Sequence, residues 1–438
     1  MTAVLDTLRR VARRAAIDLP PVDPELASAG HGIRRLGFDA QPGRSLELLQ
    51  RHGSAAAVIE QLRTAPPLPF DPPGDIDTSL KDERESLSAD ALIQWWLKRM
   101  ATPEAGLHER MIWFWHTHFT TSVDKASPLL CWRQLRSLHT HALGNFGELL
   151  TAMVHDGAMI QYLDGDGSQA SAPNENLARE LMELFSLGRN QYTQRDVASL
   201  AYGLSGYSVN WEEGTIDFDP SRGPRWPGTF LGSKRVWNPD RAVEQILEQQ
   251  PCAPFIVGRI WHAIVGTPLD PSVHEQLAGN FRASGYELAP LLEEIIGSVA
   301  FGEAQNAKPR SGLEWFLFAQ GVLDVDTPEI WSLHSLGQMP FHPPTVAGWP
   351  NDRVWTSASS AMARAGHIGW LETGDLDFLL DSNDVVEAVL THCSLTHASE
   401  PTRLALKRVA AAVPPEEDRT RVELTLKAAL LTPEAFAC

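Results

Sequence analysis

Apolar residues recur along this chain mainly at helical spacing, three and four positions apart. The pattern predicts helices over 88–100, 104–120, 129–143 and 147–153. Another covers 174–187, closed by Gly188, and Thr193-Gln194-Arg195-Asp196 opens the next with Thr193 as its N-cap. Between 31 and 62 it reads as two short helices connected through Gly37 and Gly43, after a polar lead-in over 1–30. Residues 65–78 are proline-rich and cannot be helical, because proline removes donors and fixes φ. Alternation appears only over 206–240, around Gly and Pro. Helices resume at Ala242, with Pro239-Asp240 as the start, and run to about Leu336. A loop over 339–352 follows, and then two or three closing helices. The expectation is a mainly α fold, a multi-helix body forming one domain over 31–438, with a small β-hairpin or irregular insertion near 206–235.

The 104–120 segment is apolar on every side, through Met111, Ile112, Trp113, Phe114, Trp115 and Phe119, so it is expected to be buried. His116 and His118 then lie in a low-dielectric setting and need partners. Two residues apart on a helix, they point about 160° away from each other and cannot share one ion.

The densest chemistry lies in Asn174-Glu175-Asn176-Leu177-Ala178-Arg179-Glu180-Leu181-Met182-Glu183-Leu184, directly after Pro173. With Glu175 set at 0°, Arg179 falls at about 40°, Glu183 at about 80° and Glu180 at about 140°, while Leu177, Leu181, Leu184 and Phe185 take the opposite side. Two readings stay open. The acids can form a Glu175–Arg179–Glu183 salt-bridge ladder at i, i+4 spacing. Alternatively, Glu175, Glu180 and Glu183 can join His118 as metal ligands, the oxygen and imidazole set favouring Fe or Mn, with Mg also compatible. In that second reading His118, Glu180, Glu183 and Arg179 form a catalytic group, Arg179 meeting an anionic substrate. Asn174 suits an N-cap, and Glu175 suits the positive end of the helix dipole.

Composition narrows the classes. The formal charge of −18 disfavours nucleic-acid binding, which needs clustered Lys and Arg. No apolar run is long enough to span a bilayer, and no signal peptide is visible, so a cytoplasmic location without membrane contact is expected. Cys131, Cys252, Cys393 and Cys438 are far apart and form no CxxC pair, which leaves them as free thiols. Fourteen tryptophans can fill the core or line a cleft for a flat or sugar-like small molecule. No Walker loop, GxGxxG or HExxH occurs. The loop from Phe341 through His342-Pro343-Pro344 to Gly348-Trp349-Pro350 reads as a proline-fixed cover or one wall of a pocket.

Several motifs together resemble the bacterial family called domain of unknown function 1800. They are His31-Gly32-Ile33-Arg34-Arg35-Leu36-Gly37-Phe38, Phe114-Trp115-His116-Thr117-His118-Phe119, Leu143-Gly144-Asn145-Phe146, Tyr162-Leu163-Asp164, the 173–188 segment, and the loop from Leu336-Gly337-Gln338 to Gly348-Trp349-Pro350. The resemblance implies a mostly helical protein, often exported and often encoded beside a sulfatase-like protein of unknown-function family 1501. It places the family's histidine on His118. It also implies an HDxGxK-like run before Thr229-Phe230-Leu231-Gly232, where this chain has Arg225-Trp226-Pro227-Gly228, and a lysine-serine-proline run where it has Arg310-Ser311-Gly312. Two functions are therefore expected: a metal-dependent, oxidoreductase-like enzyme, or a non-catalytic partner or scaffold for the 1501-family protein.

Overall fold

His31-Gly32-Ile33-Arg34-Arg35-Leu36 lies wholly inside a buried helix, Pro24–Leu36, that begins earlier than the apolar pattern suggests. Asp23 caps it by accepting the N–H groups of Glu25 and Leu26. Gly32 is required by close packing, since a Cβ there would meet Ile59 Cγ1 at 2.6 Å. The structure is a computed structural model that describes residues 23–437 apart from 39–41, 73–86, 211–214, 326–329, 351, 372, 375, 381, 383, 396–397 and 415. Most of the lead-in, the end of the proline-rich stretch and Cys438 therefore lie outside the described residues.

Twenty-three α-helices and two small antiparallel two-stranded sheets make up the described regular structure, so the fold is mainly α with a small β insertion. One contiguous apolar cluster runs from Ala29 to Ala435. Leu107–His118 is buried on every side, as its unbroken apolar pattern demands. The helices Pro128–His141 and Phe146–Val154 follow it, and Trp115 Nε1 donates to the carbonyl of Ala142 at 3.0 Å.

Buried arginines tie distant segments to this helix. Arg110 pairs with Glu314 and donates to the carbonyls of Arg34 and Gly37. Burial alone would raise the Glu314 carboxyl, but Lys308 and Arg110 hold it well below the usual range. Arg99 bonds Glu109 at 2.8 Å and the carbonyls of Leu68 and Pro69, fixing the irregular proline-rich segment to the surface.

The insertion consists of Tyr207–Asn210 paired with Thr215–Phe218, and Gly228–Phe230 paired with Ser233–Arg235. Leu231 and Gly232 both have positive φ, the condition for a tight two-residue hairpin turn. The Leu231 N–H donates to Asp196, which also forms a capping box with Thr193 at the start of Gln194–Gly203.

Three expectations need correction. The 24–64 region holds three helices, Pro24–Leu36, Arg44–His52 and Ala55–Thr64, because the first helix begins inside the polar lead-in, where its solvent-exposed first turn carries no apolar period. The 174–187 helix is shorter, Asn176–Glu183. Its last residues turn instead, the N–H groups of Leu187 and Gly188 both reaching Met182 O. Six α-helices, not two or three, follow Pro350 among the described residues, since several are only one or two turns long.

Candidate functional site

His116 and His118 point apart, as their spacing requires, and each is held by aromatic rings and one backbone group. His116 Nε2 accepts the N–H of Phe341 at 3.2 Å, amid Trp96, Trp113, Phe341 and Trp349. This packs the 339–350 loop as a cover. His118 Nε2 lies 3.0 Å from the carbonyl of Phe185, so it carries the proton there. Its ring is surrounded by Phe114, Trp115, Phe119, Phe185 and Phe255. Burial pushes both imidazoles down to about 3, with Arg259 adding to the effect at His118, so both are neutral at pH 7.

Phe185 lies just beyond Asn176–Glu183, on the side opposite the acids. His118 therefore docks the acidic segment through backbone, not through carboxylates. Asn174 Oδ1 accepts the N–H of Asn176 at 2.8 Å, setting the entry turn. Glu175 pairs with Arg179 at 2.9 Å and accepts from Gln194 Nε2 at 2.7 Å. Glu183 is not the third rung of that ladder. It accepts from Tyr192 Oη at 2.5 Å and Arg189 Nε at 2.8 Å, bonds that lower its pKa, while burial and Glu183 raise Tyr192 to about 12. Glu180 differs from both. It is half-buried, is raised first by burial and then by Glu183, and its carboxylate accepts no hydrogen bond among the described residues.

The four residues expected to ligate a metal, His118, Glu175, Glu180 and Glu183, are thus not gathered. Among the described residues no group of three or more His, Cys, Asp or Glu is placed to hold a metal ion. The physical reason is angular: Glu175 and Glu183 radiate to surface partners, whereas His118 faces the apolar side.

A polar cluster that the sequence reading did not assemble lies beside Asn176. Lys125 Nζ meets Asp164 Oδ1 at 2.9 Å and the carbonyl of Tyr162 at 3.2 Å. Asn176 Nδ2 donates to Asp164 Oδ2 at 3.2 Å, and Asp124 pairs with His342 at 3.4 Å. Asp164 holds a positive φ, which short polar side chains tolerate. Tyr162-Leu163-Asp164 was visible as a motif, but no local pattern could pair Asp164 with Lys125, 39 residues before it.

Most tryptophans fill the core, among them Trp96, Trp115, Trp237 and Trp315, whereas Trp226, Trp331 and Trp370 are exposed. Arg225 and Trp226, in the run that departs from the HDxGxK-like pattern, form one wall of a cleft with Tyr202 and Arg222. Cys131, Cys252 and Cys393 are buried, and burial raises the Cys131 and Cys252 thiols far from reactivity.

The family model described as "Protein of unknown function (DUF1800)" matches residues 31–437, and the chain belongs to that family. No curated protein and no solved structure matches it. Among the described residues no helix is long and apolar enough to cross a membrane.

Proposed function

We propose that this family member acts as a non-catalytic binding partner or scaffold, and that its partner is the sulfatase-like 1501-family protein. One observation carries the reading: an uncovered apolar face on the helix Ala358–Trp370. Met362 is 67% exposed and Trp370 is 88% exposed. With Ala358, Gly366 and Gly369 they span an arc of about 120° at 100° per residue. A Cβ built on Gly366 or Gly369 would meet nothing within 4 Å. The other side of the helix is anchored by Arg364, His367 and Ile368, so the face is rigidly presented. Exposed aromatic and methionine side chains flanked by small residues are the composition of an interface centre. The salt-bridged Glu175 and Glu183 and the caged histidines fit a structural role for the acidic segment. Co-purification of the two proteins tests the reading, and Trp370→Ala with Met362→Glu should abolish it.

A second reading is favoured by Glu180. A half-buried carboxylate with a raised pKa and no hydrogen-bond partner among the described residues is a candidate acid or base. In this reading the chain is a metal-dependent, oxidoreductase-like enzyme using Fe or Mn, with Glu180 its principal acid. Metal analysis of protein purified without a histidine tag tests it, and metal-free active protein would defeat it.

A further inference from the structure

The cleft beside the strand insertion is built from three separate segments and locked by backbone bonds. Its walls include Gln169, Ser171, Tyr202, Arg222, Arg225 and Trp226, around a volume of about 310 Å³. Tyr202 Oη accepts the N–H groups of Arg225 at 2.8 Å and Trp226 at 3.1 Å, which fixes that wall on the helix Gln194–Gly203. The Ala170 N–H donates to the carbonyl of Arg222 at 2.8 Å, joining the other two walls. Gly206 and Gly223 permit the close crossing beneath, where a Cβ on Gly206 would lie 2.8 Å from Gly223 Cα.

The charge of this cleft opposes that of the protein. Among the described residues two arginines line it and no acid does, in a chain of formal charge −18. The Arg225 guanidinium meets only the carbonyl of Ser221, at 3.2 Å, and has no carboxylate partner among the described residues. Arg222 donates to Gly167 O, while its Nε is buried without a hydrogen-bond partner among the described residues. Asp219, the acid that acts on Arg222, accepts the Ser221 N–H instead of joining the wall. Trp226 is 74% exposed at the rim.

We infer that this cleft binds a sugar-sized ring bearing one carboxylate, a hexuronate. Guanidinium groups recognise carboxylates through paired N–H donors. The uncovered indole offers a flat face for the C–H side of a pyranose, and Gln169, Ser171 and Ser221 supply polar atoms for ring hydroxyls. The volume sits at the lower end of the ligand-pocket range of about 300–1,000 Å³, which suits one ring and excludes a polymer buried along its length. The surrounding negative charge repels polyanions, which selects a singly charged ligand.

Calorimetric titration of the full chain with D-glucuronate, D-glucose and acetate tests this. Glucuronate binding at least about tenfold tighter than either probe is expected, because charge and ring must act together. Arg225→Gln and Trp226→Ala should each weaken glucuronate about tenfold or more, with Trp331→Ala, an exposed tryptophan elsewhere, unchanged. Glucuronate should also raise the wild-type melting temperature by mass action. Glucose or acetate binding as tightly as glucuronate, no binding of glucuronate, or equal affinity in the Arg225 and Trp226 variants would each overturn the inference. The Met362 and Trp370 variants should leave glucuronate affinity unchanged, which separates this site from the partner-binding face.

Discussion

Replacing His118 by phenylalanine or alanine separates a structural histidine from a ligand. His118 is 3% exposed, and its Nε2–H is the side-chain partner of the Phe185 carbonyl. Phenylalanine keeps the ring but leaves that carbonyl unsatisfied, a loss of about 1–3 kcal/mol. Alanine adds a cavity among five aromatic side chains, for a further loss of roughly 2–4 kcal/mol. The histidine also sets a pH dependence. Its folded pKa of about 3 lies below the usual imidazole value of 6.5. Between those values the unfolded chain binds a proton that the folded chain does not, so stability falls as pH is lowered through this window. One such histidine removes about 1.4 kcal/mol per pH unit, or roughly 3 kcal/mol by pH 4. His118→Phe should therefore be less stable than wild type at pH 7 yet show a shallower acid-side slope. Urea unfolding followed by circular dichroism at pH 7, 6 and 5 measures both effects. If His118→Phe matched wild type within about 0.5 kcal/mol at pH 7 and kept its acid slope, the structural role would be refuted.

Glu314→Gln and Arg110→Met should each destabilise by about 3–5 kcal/mol, since either leaves a buried charge uncompensated; urea midpoints report it. Glu175→Gln should change stability by less than about 0.5 kcal/mol, because its pair with Arg179 is solvent-exposed. Burial raises Asp156 to about 7, although the N–H groups of Met159 and Ala158 pull it down. The folded state therefore holds a proton that the unfolded state loses above about pH 4, and stability is lost as pH rises towards 7. Asp156→Asn keeps the N-cap and should be more stable than wild type at pH 8, by on the order of 1–4 kcal/mol, but not at pH 4.

Helices were legible wherever a long apolar period met a strong cap. Thr193 and Asp196 are an example, as their capping box is local in sequence. The opposed directions of His116 and His118 also followed from helix geometry alone. What could not be read was which neighbour each group would choose. Glu183 was one helical turn from Arg179, yet it bonds Arg189 and Tyr192, which the turn after Gly188 brings back to it. Asp164 and Lys125 meet only through tertiary packing. The short helices after Pro350 were missed because one or two turns give too few positions to establish a period. The apolar face of Ala358–Trp370 was hidden for a related reason, since small residues between Met362 and Trp370 register weakly in any hydrophobic pattern.

The proposed binding of a protein through that face, independent of the chemistry of the acidic segment, is open to direct measurement. Biolayer interferometry against the purified 1501-family neighbour tests it most directly, comparing wild type, the Met362→Glu/Trp370→Ala variant and Glu175→Gln. Wild type and Glu175→Gln should bind alike, and the double variant should lose binding. No binding by wild type, or undiminished binding by the double variant, would contradict it.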